Sequence, residues 1–213
     1  MTDREKELRY AAATISAASL EQAAAAVAEG CRELSRWAGL FESRLEGLGL
    51  GEEHKFARAF TLTVLGHLPA RPATCPFCIQ YGRDRSCAGC GYAATHGRCD
   101  DDASAFSIFI EAFQELGRVI YQDTEGRPMQ REEAVAALHR SISAAQDRAG
   151  RMEEEVQACL EEAWPGQECR TMQLMLLKAG YLEDMIELLP FCLFSSEVED
   201  GVRQVKDALQ KYW

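Results

Sequence analysis

Residues 20–48, LEQAAAAVAEGCRELSRWAGLFESRLEGL, decide the fold class. Their apolar positions step by three and four: Leu20, Ala23, Val27, Cys31, Leu34, Ala38, Phe41, Leu45 and Leu48. That period, near 3.5, is a narrow helical seam and not the alternation of a strand. Upstream, Thr2 and Glu5 have capping-box spacing. One helix is therefore expected over 3–48, with Gly30 and Gly39 as bending points and Gly47, Gly49 and Gly51 as its end. Unbroken, it would run about 70 Å at a rise of about 1.5 Å per residue.

The rest of the chain repeats the pattern. A second helix is expected over 52–67, carrying Phe56, Phe60, Thr63 and Val64 and stopped by Pro69 and Pro72. A third should begin at Asp100–Asp102, three carboxylates suited to capping a helix N-terminus, and carry Phe106, Phe109, Ile110, Phe113, Leu116 and Ile120. Beyond the turn DTEGRP, a second long helix over 129–163 has the seam Val135, Leu138, Ile142, Ala145, Ala149, Met152, Val156, Cys159 and Ala163. The WPG run, Trp164 to Gly166, ends it. Shorter helices follow over 167–179, over 181–189 and after Ser196. Nothing alternates convincingly with period two. The expectation is an all-α bundle of two long helices, a single domain over 1–213, with a cysteine-rich, metal-binding loop inserted at 70–100.

That insertion carries the chemistry. CPFCIQYGRDRSCAGCGYAATHGRC, Cys75 to Cys99, holds five of the nine cysteines. Cys75 and Cys78 form one C-x2-C pair, Cys87 and Cys90 a second, and Cys99 follows eight residues later. A C-x2-C turn points two thiolates the same way, and two such pairs supply the four soft ligands of a tetrahedral site. Zinc is the first expectation and an iron–sulfur cluster the alternative, although the ferredoxin C-x2-C-x2-C-x3-C-P run is absent. Five thiols exceed four places, so the candidate ligands are Cys75, Cys78, Cys87, Cys90 and Cys99. The best set is Cys75, Cys78, Cys87 and either Cys90 or Cys99. Arg71, Arg83, Arg85 and Arg98 against Asp84 give local positive charge to offset thiolates. His96 is a nearby donor, more simply a bystander than a ligand. Capping, not metal binding, is the plainer role of Asp100–Asp102.

This segment resembles a motif of small uncharacterised bacterial and phage proteins, roughly C-P-L-C, then C-x-G-C-P, T-G and a fifth cysteine. Cys75, Pro76, Cys78, Cys87, Gly89, Cys90, Thr95, Gly97 and Cys99 match it. Gly91 stands where the motif has proline, and His96 separates Thr95 from Gly97. The resemblance implies a metal-binding cysteine element of unknown purpose and transfers no enzymatic activity.

Other motifs argue against catalysis. No E-x-x-H helix, phosphate-binding glycine loop or G-x-S-x-G is present. The net charge of −11 disfavours nucleic acid. The charged start MTDREKELRY has no signal-peptide character, and the alanine-rich stretch 11–28 contains Glu21 and Gln22 and makes a poor membrane span. A cytoplasmic protein is expected, with reduced thiols. Cys31 and Cys159 belong to the seams, and Cys169 and Cys192 are expected to pack. A seam longer than one domain needs leaves apolar surface for a partner, so a homodimer through the 3–48 helix, the 129–163 helix, or both is expected. The functional expectation is a non-enzymatic metal-binding scaffold for regulation or protein interaction. The alternatives are a redox or metal sensor using Cys99, and a metalloenzyme with an open metal position near His96 or the aspartates.

Overall fold

The computed structural model describes residues 3–82, 87–161 and 166–212, and every regular element among them is helical. In chain order these are α1 (Asp3–Ala12), α2 (Ala17–Leu45), α3 (Glu53–His67), α4 (Pro76–Tyr81), α5 (Gly91–His96), α6 (Ala105–Gln122), α7 (Arg131–Glu161), α8 (Gln167–Leu188) and α9 (Ser196–Tyr212). Single 3-10 turns occupy Pro72–Thr74 and Phe191–Leu193.

The helix expected over 3–48 is two helices. Ser16 ends the continuity: its Oγ accepts from Ser19 N at 3.2 Å and caps α2. Thr14 Oγ1 turns back to donate to Ala11 O at 2.7 Å. Gln80 of α4 then clamps the break, accepting from Ser16 N at 2.7 Å and donating to Thr14 O at 2.6 Å. Hydroxyl side chains that bond local backbone compete with the helix, and here a distant side chain adds its weight to theirs. Thr2 of the expected capping box lies outside the described residues.

α2 has 29 residues and α7 has 31. They are antiparallel: Arg32 meets Glu153 at 2.9 Å, Ser35 reaches Gln146 O at 3.4 Å, and Glu42 meets His139 at 3.4 Å. α8 returns along both, where the Arg148 guanidinium lies 5.0 Å from the Tyr181 ring centre and bonds Asp184 at 2.7 Å. α3 closes another side, with Phe56 and Phe60 each meeting Phe41 edge-on at 5.3 Å. Leu20, Val27, Cys31, Leu34 and Ala38 are consequently buried within one chain, as are Leu138, Ile142, Ala149 and Met152. The seam residues that motivated a homodimer are thus covered within the chain, while Trp37 and Leu40 of α2 remain exposed.

Three further expectations are corrected. Asp100–Asp102 do not cap a helix. The cap of α6 is Ser104, whose Oγ accepts from Ser107 N at 3.1 Å, and Asp100 is paired with Arg98 at 2.7 Å. The helices expected over 167–179 and 181–189 are one, running through Gly180. The cysteine segment is not mainly loop, since α4, α5 and the turn at Pro72–Thr74 organise it. Ala163, Trp164 and Pro165, expected to end the second long helix, lie outside the described residues.

Candidate metal centre

Each cysteine is positioned by local backbone chemistry. Thr74 Oγ1 donates to Pro69 O and Arg71 O, both at 2.8 Å, which folds the approach to Cys75. Cys75 is the N-cap of α4, Pro76 its first residue, and Cys78 falls within its first turn. The second pair sits on a tight turn: Cys90 N donates to Cys87 O at 3.0 Å, with Cys87 at φ 50° and Gly89 at φ 79°. A non-glycine residue in the left-handed region is strained, and such residues gather at functional sites. Cys90 then caps α5, its Sγ accepting from Ala93 N at 3.4 Å. Gly91 follows because α5 lies against α1: a Cβ there would stand 2.9 Å from Ala11 Cα.

The two short helices bring the sulfurs of one group together. Cys75 and Cys78 are in hydrogen-bonding contact, and Cys78 is in contact with Cys99. The bond to Cys78, with burial, holds the Cys75 thiol well above its ordinary range. Cys78 is lowered by its bond with Cys75, yet its bond with Cys99 and its burial push it up to about 12. Burial likewise raises Cys90, which also senses Cys75 and Cys87. A cavity of about 10 Å³ borders Cys75, Cys78, Cys99, Tyr92 and Lys178. That is about the room of one water-sized sphere. Phe77 and Tyr92, with ring centres 5.5 Å apart, wall this part of the segment.

Lys178 is the residue that sequence reasoning missed. It reaches in from α8, is 2% exposed, and donates from Nζ to Thr74 O at 2.7 Å. Burial lowers its pKa, while Cys75 and Cys78 act in the opposite sense. The signal was present: Lys178 stands in the register of the buried Leu174, Met175, Tyr181, Leu182 and Met185. A lysine at a core position must be answered by polar groups. The arginines expected to supply positive charge are otherwise engaged, Arg71 with Gly66 O at 2.8 Å and Arg98 with Asp100. Arg83, Asp84 and Arg85 lie outside the described residues.

Among the described residues no three Cys, His, Asp or Glu side chains are already arranged to hold a metal ion. The sulfurs hold one another through hydrogen bonds, so taking up an ion requires exchanging S–H contacts for metal bonds by side-chain movement. The groups gathered here are thiols, of the soft donor class, with the Lys178 amine beside them. His96 is stacked on Tyr92 at 4.4 Å, with Nδ1 2.6 Å from Thr95 Oγ1. Cys31 and Cys159 are buried as expected, whereas Cys192 is exposed and does not pack.

Two other polar clusters lie outside the cysteine segment. Asp123 Oδ2 accepts from Ser195 N at 2.8 Å, and Oδ1 stands 3.5 Å from His54 Nε2. The carboxylate lies between serine and histidine, so the histidine has no serine proton to take. A groove of about 750 Å³ between α2 and α7 is bordered by Glu42, Glu46, Arg131 and His139. There Arg131 is committed to Leu48 O at 2.6 Å and Glu53 at 2.5 Å, and His139 to Glu42.

The chain matches no protein-family model, no curated protein and no solved structure. No described helix is long and apolar enough to cross a membrane.

Proposed function

We propose that this is a non-enzymatic, metal-binding helical protein in which one zinc ion, held by cysteine sulfurs, fixes the meeting point of several helices and so maintains a scaffold for regulation or protein interaction. The observation that carries the reading is the contact of Cys75, Cys78 and Cys99 beside a cavity that Lys178 also lines. A space of about 10 Å³ suits one ion better than a cluster of several iron and sulfide atoms. The cysteine segment packs on α1 and α2 and is bonded to α8 through Lys178, so metal binding there would become folding energy for that end of the bundle. A reducing cytoplasm suits such a thiol-rich site.

Metal analysis of anaerobically purified protein tests the proposal. About one zinc per chain is expected. Cys75→Ser, or a chelator, should lower the melting temperature and open residues 72–99 to protease. Protein free of zinc and iron, or an unchanged melting curve and cleavage pattern, counts against it. Brown protein containing iron and sulfide would favour the cluster instead.

A further inference from the structure

The five cysteines are not placed alike. Cys75, Cys78 and Cys99 line the small cavity, and neither Cys87 nor Cys90 does. Of these two, Cys90 is buried, caps α5 and lies within electrostatic reach of Cys75. Its sulfur already accepts the backbone N–H of Ala93, the kind of bond that orients a ligating thiolate. Cys90 also senses Cys87, but Cys87 neither lines the cavity nor caps a helix. It is half-buried, like Cys78 and Cys99, but alone among the five it sits on the left-handed turn.

Resting on the metal-binding reading above, we infer that the four ligands are Cys75, Cys78, Cys90 and Cys99, and that Cys87 stays outside them as the modifiable thiol of the segment. This departs from the symmetric expectation of two complete C-x2-C pairs. The first pair acts whole, the second contributes its buried member, and Cys99 replaces the other. Its place in the chain, between α5 and α6, brings Cys99 back to the first pair. Cys87 then serves the second turn through its carbonyl, which accepts from Cys90 N, and leaves its sulfur for an electrophile.

Alkylation of the zinc-loaded full chain by N-ethylmaleimide, read by peptide mass spectrometry with and without chelator, tests the division. Cys87 should label in the loaded protein at a rate that the chelator changes less than twofold. Cys75, Cys78, Cys90 and Cys99 should label at least tenfold faster once zinc is removed. Zinc protection of Cys87, or labelling of any of the four as fast as Cys87 in loaded protein, overturns the inference. Cobalt(II) substitution provides the second measurement. Cys87→Ser should keep one cobalt per chain and the full sulfur-to-cobalt absorption. Cys99→Ser, if folded, should lose about a quarter of that absorption, one sulfur of four. Full absorption in Cys99→Ser, or loss in Cys87→Ser, would refute the assignment. A wild-type chain that takes up neither zinc nor cobalt fails earlier, at the metal count, and overturns the underlying reading as well.

Discussion

Lys178, in the middle of α8, donates its side-chain proton to the carbonyl oxygen of Thr74 at 2.7 Å, across 104 residues of sequence. Thr74 is the residue before Cys75, so this bond ties α8 to the backbone that presents the first cysteine pair. The same nitrogen lies within electrostatic reach of Cys75 and Cys78. Four thiolates around a divalent ion carry a net charge of about −2, and a buried cation beside them offsets part of it. Lys178→Met keeps the length and loses the charge. The expected result is a zinc dissociation constant weakened by about 10–100-fold, as for other outer-sphere partners of metal ligands. Competition with a colorimetric chelator measures it. Unaltered affinity in a folded Lys178→Met protein would show that the lysine serves only to anchor α8.

Acid should weaken the fold in two separate steps, both at the joint of α3, α6 and α9. Burial lowers the pKa of His54, helped by Arg58 and opposed by Asp123. A histidine with a depressed pKa favours the folded state in its neutral form. That stability is complete above about 6.5 and is lost as pH falls through the folded value. Asp123 is pushed up by burial, but the N–H groups of Ser195 and Gly126 outweigh this and hold it below its ordinary 3.8. Its contribution is complete above that value and disappears at lower pH. Denaturant midpoints of wild type and His54→Gln, measured from pH 8 to pH 3, check the assignment. The wild type should lose stability more steeply than the variant just below pH 6.5, and the two slopes should converge near pH 4. Parallel curves throughout would remove His54 as the source of the first step.

The contact between α5 and α1 leaves no room for a side chain at Gly91. A Cβ there would lie 2.9 Å from Ala11 Cα and 3.3 Å from Ala11 Cβ, and both helices would have to separate. Overpacking of this kind costs about 1–3 kcal/mol. Gly91→Ala is therefore expected to lower the melting temperature by several degrees. Gly66→Ala, with open space around its added methyl, is the control that should not. Equal melting temperatures for the two variants would mean that α5 does not press on α1.

The helical class was legible because both long seams keep one period over many turns, and such repetition survives errors at the ends. Their ends were less legible. The break at Thr14–Ser16 depends on Gln80, which no local pattern near residue 14 contains. The aspartates at 100–102 carried the composition of a cap, but Ser104 stood closer to the first turn of α6 and took the role. At the cysteines, spacing marked the segment and could not order its members. Cys99 joins Cys78 through the path of the chain around α5, and the two C-x2-C pairs look equivalent in spacing although Cys87 alone takes a left-handed backbone. The register of α8 places Lys178 among buried positions, but the carbonyl that answers it, Thr74 O, lies 104 residues away and no local pattern shows it.

Assembly is the last point, and Leu34 decides it. The sequence alone pointed to a dimer because a seam as long as 20–48 exceeds the needs of one domain. α7, α3 and α8 cover that seam inside the chain: Leu34 and Ala38 have no exposed surface, and Phe41 is packed between Phe56 and Phe60. A second copy would gain none of the roughly 25 cal/mol per Å² that burying this face releases, because the chain has already buried it. Light scattering at micromolar concentration is expected to give a mass near the 23.7 kDa of one chain. Leu34→Asp places a charge among apolar side chains, and a cost of several kcal/mol is expected. It should unfold the monomer, with loss of helical circular dichroism, and should not yield a folded half-size species. Glu33→Lys, one position away on the exposed side, should change neither mass nor helicity. A mass near twice that of the chain, falling to a folded monomer in Leu34→Asp, would restore the dimer and require the seam to open toward a partner.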